Sequence, residues 1–372
     1  MSNGRLAVLI LTLIAIVFGT NFYIERRLFQ WILYIFPYIS RPVFAGLYIM
    51  VVLTIIVGRF PFLSNKIRKP IAWIGAHWLG ISIYLLLFFL LADLVLLIGA
   101  LYPVQFYVWT AAIILTIAVS GYGFYNAARI KHVSYSIKLK RSLPGEMNIV
   151  FISDLHLGDI NSEKRLGYIV NRINSLKPDI VAMVGDVFHD DFTAVRNPEK
   201  ASAHFRNIRA TYGVFAVLGN HDAGHTLPQM IELLERSNVK LLNDEHVTID
   251  DKLILLGRTD ASPLGGFGGI SRKPHAEVMA KVNTLLPVVV LEHNPARMAE
   301  YGSEVDLILS GHTHRGQLFP GSLITKWMYT VDYGHYHRAS DGVQVVVSQG
   351  VHTWMMPMRV GTFNEIVSVV AT

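Results

Sequence analysis

The 372-residue chain contains no cysteine. Disulfides, thiolate metal ligands and a cysteine nucleophile are therefore excluded, while the redox compartment stays open. Charge is scarce as well: 16% of residues are charged against 52% hydrophobic, and the mean hydropathy is +0.39. That balance excludes a disordered or collagen-like chain. Acidic residues are nearly missing from the N-terminal part, where residues 1–128 hold two acidic and eight basic side chains; residues 129–372 hold twenty-five of each. The net charge of +6 thus lies in the apolar part. A basic chain suits nucleic acid only when its cations form a footprint. Here they flank apolar runs, so a bilayer and not a nucleic acid is the expected partner.

Four apolar stretches fill residues 1–128, at about 6–24, 42–57, 78–99 and 104–125. Each approaches the roughly 20 residues a bilayer core requires, and a helix satisfies its own backbone there. Buried core helices are the alternative, which the depletion of charge disfavours. Basic residues in short loops set orientation. With the N-terminus inside, the inner segments carry Arg5, Arg59, Lys66, Arg68, Lys69, Arg129, Lys131, Lys138, Lys140 and Arg141; the outer loops carry Arg26, Arg27 and Arg41. Both termini are therefore expected on the cytoplasmic side of a multi-pass protein. Leu6–Phe18 has the length of a signal-peptide core, but Phe18-Gly19-Thr20-Asn21 is not an A-x-A-like cleavage site, so an uncleaved anchor is expected. Asp93 is the only acidic residue within the spans, with no expected intramembrane partner, and is read as reaching interfacial water. Leu28–Ile39, rich in aromatics, reads as a segment in the headgroup layer.

Beyond Val133 short apolar runs alternate with amphipathic ones. Residues 129–147 read as a juxtamembrane linker and 148–372 as an α/β layered domain, with strands at 148–153, 179–184, 213–218, 253–256, 287–291, 305–309, 343–347 and 365–370. Helices are expected at 164–176, 198–210, 228–237 and 275–285. Gly265-Gly-Phe-Gly-Gly269 lacks the strand-to-helix placement and Lys-Ser/Thr of a nucleotide cradle and reads as a loop.

Polar clusters fall just past the strand ends, where open α/β sheets place their ligands. They are Ser153-Asp154-Leu-His156, Gly185-Asp186, Gly219-Asn220-His221-Asp222, Glu292-His293-Asn294-Pro295 and Gly311-His312-Thr-His314-Arg315-Gly316. Together they offer imidazoles, carboxylates and an amide, an O/N set for hard to borderline divalent metals. Asp-x-His and His-x-His put two donors on one short segment.

These five blocks, with Gln317 near the fifth and a Trp354-x-x-Pro357-Met-Arg359 element near the end, in this order over about 148–370, resemble the calcineurin-like metallophosphoesterases, and the chain resembles their membrane-anchored branch. The resemblance implies a four-layer β-sandwich flanked by helices, preceded by about four transmembrane helices. It implies a two-metal centre: Asp154, His156 and His314 on one ion, Asn220, His293 and His312 on the other, and Asp186 bridging. A metal-bridging hydroxide would attack phosphorus, and His221 would protonate the leaving oxygen, with Asp222 orienting its imidazole. Manganese is the first expectation for both ions; iron, zinc and nickel are alternatives. Arg315 departs from the glycine often found there, leaving two readings, a phosphate oxygen or a surface ion pair. Asp190 and Asp191 read as solvated loop charges; Trp327-Met-Tyr329 and Trp354-Met-Met-Pro-Met358 read as packing under the final strands, with entry into the membrane interface near the site as the alternative.

The expected protein is a cell-membrane metallophosphoesterase with a cytoplasmic catalytic domain. It would hydrolyse a phosphoester or phosphoanhydride in a lipid-linked or membrane-proximal substrate. The alternatives are a tethered cyclic-nucleotide or soluble phosphodiester hydrolase, an inactive metal-binding scaffold, and a transporter, which would need more intramembrane charge than Asp93.

Overall fold

The computed structural model describes residues 3–60, 63–99, 104–158, 160 and 163–372. The chain divides into two compact units: Met1–Tyr125 with Met356–Met358, and Asn126–Met355 with Arg359–Thr372.

The first unit contains helices α1 (Asn3–Ile32), α2 (Arg41–Val57), α3 (Asn65–Gly99) and α4 (Gln105–Ala127). Leu28–Ile32, expected in a headgroup segment, continue α1, and only the residues up to Ile39 leave the helix. The bundle is held by a small core that includes Ile24, Tyr48, Phe89, Leu96 and Trp109. Most of the apolar surface points outward, including Phe18, Leu47, Leu94, Ile98 and Ile117. Among the described residues, α3 and α4 are long and apolar enough to cross a membrane, and α2, at 17 residues, is shorter. In each of the two, only 28% of the most apolar window is buried, which disfavours soluble core helices.

Asp93 does have a charged partner, contrary to the sequence expectation. Its carboxylate accepts hydrogen bonds from Tyr23 Oη (2.6 Å), Arg27 Nε (2.8 Å) and Trp109 Nε1 (3.1 Å), and Arg27 Nη2 lies 2.6 Å away. Arg27, counted as an outer-loop cation, sits inside α1 and neutralises it.

The second unit is two six-stranded sheets. The first has the order β1 (Ile130–Ile137), β12 (Asn364–Ala371), β2 (Met147–Ile152), β3 (Ile180–Val184), β4 (Val214–Val217), β5 (Val239–Leu241). The second runs β10 (Gly334–Arg338), β11 (Val343–Val347), β9 (Leu307–Ser310), β8 (Val288–Leu291), β7 (Leu253–Gly257), β6 (Glu245–Ile249). Strand periodicity explains the four layers. Ile149, Phe151, Val184 and Val217 of the first sheet meet Leu255, Val289, Leu291 and Leu309 of the second. Their neighbours Val150, Ile152, Val181 and Met183 face outward onto helices α5 (Glu163–Ser175), α6 (Pro198–Arg206) and α7 (Leu227–Glu235). On the far side, Ile254, Val288, Val290 and Ile308 cover α8 (His275–Met279) through Val278. Strands buried on both faces read as unbroken apolar runs, which is why these were legible in the sequence.

Residues 129–147 are not a linker, since they contain β1. This strand pairs in parallel with β12, from Ile130 opposite Asn364 to Ile137 opposite Ala371. As a sheet edge it alternates polar and apolar side chains and carries little hydrophobic signal. Only Ala128 and Arg129 separate α4 from it.

Candidate metal centre

Strands β2, β3 and β4 run parallel in one sheet, and β8 and β9 run parallel in the other. Their C-terminal ends carry the five polar clusters, so one topological edge gathers residues up to 160 positions apart in sequence. Asp154, His156 and His314 form one group whose ligand atoms all lie within 4.8 Å of one another, and Asp186, His293 and His312 form another. Asn220 joins the second group: its Oδ1 lies 2.8 Å from His312 Nδ1 and 3.2 Å from His293 Nε2. All seven residues proposed from sequence are thereby brought together.

One atom links the groups. Asp186 Oδ2 lies 3.7 Å from His156 Nε2 and 3.3 Å from His293 Nε2. In the first group the rings of His156 and His314 stack, their Nε2 atoms 3.1 Å apart, and His314 Nε2 lies 3.4 Å from Asp154 Oδ1. Bare nitrogens and carboxylate oxygens crowded in this way are what a cation satisfies. The O/N composition suits a hard to borderline divalent ion. His293 Nδ1 donates to the Val184 carbonyl at 2.9 Å, which aims Nε2 at Asp186.

The backbone is bent to reach this geometry. Asp154, His156, Asp186, His312 and His314 all have positive φ, between 44° and 72°. Left-handed conformations of such residues are costly and persist only where surrounding contacts enforce them. Those contacts are visible: the His312 amide donates to both Asp154 oxygens at 3.1 Å, and the His221 amide donates to Asp186 Oδ1 at 2.9 Å. Glycine is required beside them. A Cβ on Gly185, at φ +77, would stand 2.3 Å from His293 Nδ1, and one on Gly219 would stand 2.2 Å from Asp186 Oδ1. Gly185→Ala should therefore cost at least about 2 kcal/mol and dislodge His293. Thermal melting together with metal content checks this, and an unchanged melt with full metal loading would refute it.

Protonation follows from burial. Burial holds the imidazoles of His156 and His314 well below their usual range and pulls His312 down to about 4, with the His293 charge adding to the last. Neutral imidazole is the ligating form. Burial pushes Asp154 up to about 6, His293 opposing. Asp186 is also raised by burial, but the surrounding His293, His156 and His221 hold it well below the carboxylate range.

The structure reassigns His221's partner. Its Nδ1 lies 2.5 Å from Asp190 Oδ1, not beside Asp222. Asp190 is therefore not a free loop charge. Burial lowers the His221 pKa, but the bond to Asp190 and the charge of Asp186 more than offset this and raise it. Asp222 is fully buried and accepts from the amides of Gly219 (2.9 Å), Val187 (3.1 Å) and Phe188 (2.6 Å), which ties the β3 and β4 loops together. Burial and Asp186 push it up to about 7 against those three amides. His189 also joins the cluster, its ring stacked 5.7 Å from that of His221. By contrast His335 pairs with Gln344 on a surface strand.

Arg315 lies beside His314, and its guanidinium rests 4.6 Å above the Tyr333 ring, an arrangement neither sequence reading anticipated. Buried Arg359, in the Trp354–Arg359 element, donates to the carbonyls of His314 (2.9 Å), Gln349 (2.6 Å) and His352 (2.6 Å) and to Asn364 Oδ1 (2.9 Å). It pins the last ligand loop to the final strand. Sequence alone offered no signal for Asp190 as a partner of His221, and it marked Arg359 as part of a motif without indicating what it binds, because each acts across a distance set by the fold.

Comparison with known proteins agrees with this geometry. Residues 147–316 match the family model described as calcineurin-like phosphoesterase. A protein of Aquifex aeolicus named uncharacterized metallophosphoesterase is 30% identical, over 68% of this chain and 97% of that one. The transmembrane protein with metallophosphoesterase domain of Danio rerio is 30% identical, over 70% of this chain and 61% of its own length. UDP-2,3-diacylglucosamine pyrophosphatase LpxG of Chlamydia trachomatis is 24% identical, over 52% of this chain and 71% of its own length. The chain belongs to the calcineurin-like phosphoesterase family and is a metallophosphoesterase, a metal-dependent hydrolase of phosphoester bonds.

Proposed function

We propose that this protein is a membrane-anchored, dinuclear metallophosphoesterase acting on a phosphoester or phosphoanhydride whose phosphate is lipid-linked or membrane-proximal. The observation that carries the dinuclear reading is the single Asp186 oxygen within 3.7 Å of both His156 and His293. Asp154, His156 and His314 would hold one ion, Asn220, His293 and His312 the other, with Asp186 shared and manganese the preferred metal. Two such cations supply Lewis-acid stabilisation of the phosphoryl oxygens and make water nucleophilic near neutral pH. His221, its Nδ1 paired with Asp190, donates a proton from Nε2 to the leaving oxygen. Asp222 is a positioning residue that holds the loops carrying Asp186 and Asn220.

For the substrate, the support is the short passage from α4 to β1, two residues long, together with the membrane-associated relatives. The pyrophosphatase named for a diacylated sugar nucleotide favours a lipid pyrophosphate. α1 and α2 complete a four-span anchor in this reading, with the catalytic unit cytoplasmic. The test uses the full chain in vesicles, stripped of metal and then given Mn²⁺. Faster turnover of a sugar-nucleotide lipid pyrophosphate than of cyclic nucleotides is expected; the reverse order would make the enzyme a tethered soluble-substrate hydrolase.

Arg315 binds a substrate phosphate oxygen in this account, its guanidinium held ready by Tyr333. Arg315→Ala should raise KM roughly tenfold, about 1.4 kcal/mol, with metal content intact. Unaltered steady-state kinetics would leave Arg315 as a stacking residue.

A further inference from the structure

Helix α9 (Gly321–Met328) leaves the last ligand loop only a few residues after His314. Asp332 ties the two together: its carboxylate accepts from Thr325 Oγ1 of α9 at 2.8 Å, and its carbonyl accepts from Thr313 Oγ1 of the ligand loop at 2.6 Å. Yet no residue of α9 is buried. Leu323 is 59% exposed, Ile324 58%, Trp327 85% and Met328 61%, with Phe319 just upstream at 48%. The expectation that Trp327 packs under the final strands is not met.

The spacing 323, 324, 327, 328 puts four large apolar side chains on one helical face. Soluble surfaces carry scattered apolar residues, and a contiguous patch of this kind marks a contact surface. Its chemistry selects the partner. Residues 319–329 contain one cation, Lys326, and no carboxylate, with tryptophan at the helix end, so an aromatic anchor is present and nothing in the segment is repelled by an anionic lipid interface. A bilayer is also within reach of this domain, because the same chain carries α3 and α4.

We propose that α9 is an interfacial helix that enters the headgroup–acyl boundary through Phe319, Leu323, Ile324, Trp327 and Met328. The ligand loop carrying His312 and His314 is thereby held at the lipid surface. This rests on the membrane-anchored reading above, but not on the identity of the substrate.

The absence of cysteine permits clean single-site labelling. Leu323→Cys and Trp327→Cys, with Lys200→Cys as an exposed control, carry a nitroxide in the full chain reconstituted in phosphatidylcholine–phosphatidylglycerol vesicles. The α9 labels should be several-fold more accessible to oxygen relative to a water-soluble nickel chelate than the Lys200 label. Accessibility equal to the control would overturn the proposal. So would shielding from both reagents, which would mean that a second copy or another protein covers the face. The double variant Leu323→Ser/Trp327→Ser should keep its metal and its rate on bis-p-nitrophenyl phosphate, and lose roughly tenfold on lipid pyrophosphate in the same vesicles. If the labels lie in lipid but the parent hydrolyses no lipid phosphate, the interfacial helix stands and the lipid-substrate reading falls.

Discussion

Asp186→Asn should abolish the shared ligand and lower kcat/KM on bis-p-nitrophenyl phosphate by about 10³-fold or more, about 4 kcal/mol in the barrier. The asparagine keeps the shape of the side chain, and its carbonyl can still accept the His221 amide that Asp186 Oδ1 accepts now. What it loses is the anionic Oδ2 facing His156 and His293. An amide nitrogen turned toward those imidazoles would repel a cation. Bound metal, measured by elemental analysis, should drop from two ions per chain to one or fewer, while the circular dichroism spectrum stays that of the parent. Two retained ions with an unaltered rate would remove Asp186 from the centre and sink the dinuclear reading.

The second large effect concerns proton delivery. His221→Ala should slow hydrolysis of an alkyl phosphoester by about 10² to 10⁴-fold, the range for loss of a positioned general acid. A p-nitrophenolate leaving group needs little protonation, so the loss there should be much smaller. Equal losses on both substrates would assign His221 a structural role. Asp190→Asn adds a test of sign. The acid must be protonated to act, so activity falls as pH rises through its pKa. Asp190 helps raise that pKa, and removing its charge lowers it. The alkaline limb of the rate profile should therefore move to lower pH in Asp190→Asn and stay in place in a surface control such as Asp191→Asn.

Several strands were plain in the sequence because burial on both faces leaves an unbroken apolar run, as in Ile149–Ile152 and Val288–Leu291. Edge strands β1, β6 and β10 escaped notice for the converse reason: half their side chains meet solvent, so Ile130–Ile137 reads as a polar stretch. Helix α8 is shorter than the 275–285 expected from its apolar spacing and ends at Met279, so apolar spacing overran the helix by six residues. The metal-ligand residues were recognisable because their types and order recur at strand ends. The partner of His221 was not, since Asp222 is its neighbour in the chain whereas Asp190 lies 31 residues away and meets it only through the path of the loop after β3.

The chain's composition and motifs by themselves determined that an apolar helical region precedes an α/β domain, and that seven oxygen and nitrogen donors lie beyond its strands. Those are local properties, written in hydrophobic period and residue type. Tertiary structure decided that Asp190 rather than Asp222 meets His221, that Arg27 neutralises Asp93, and that α9 turns its apolar face outward. Each is a contact, or the lack of one, between segments whose approach depends on how the sheets and helices close, and no periodicity along the chain encodes it.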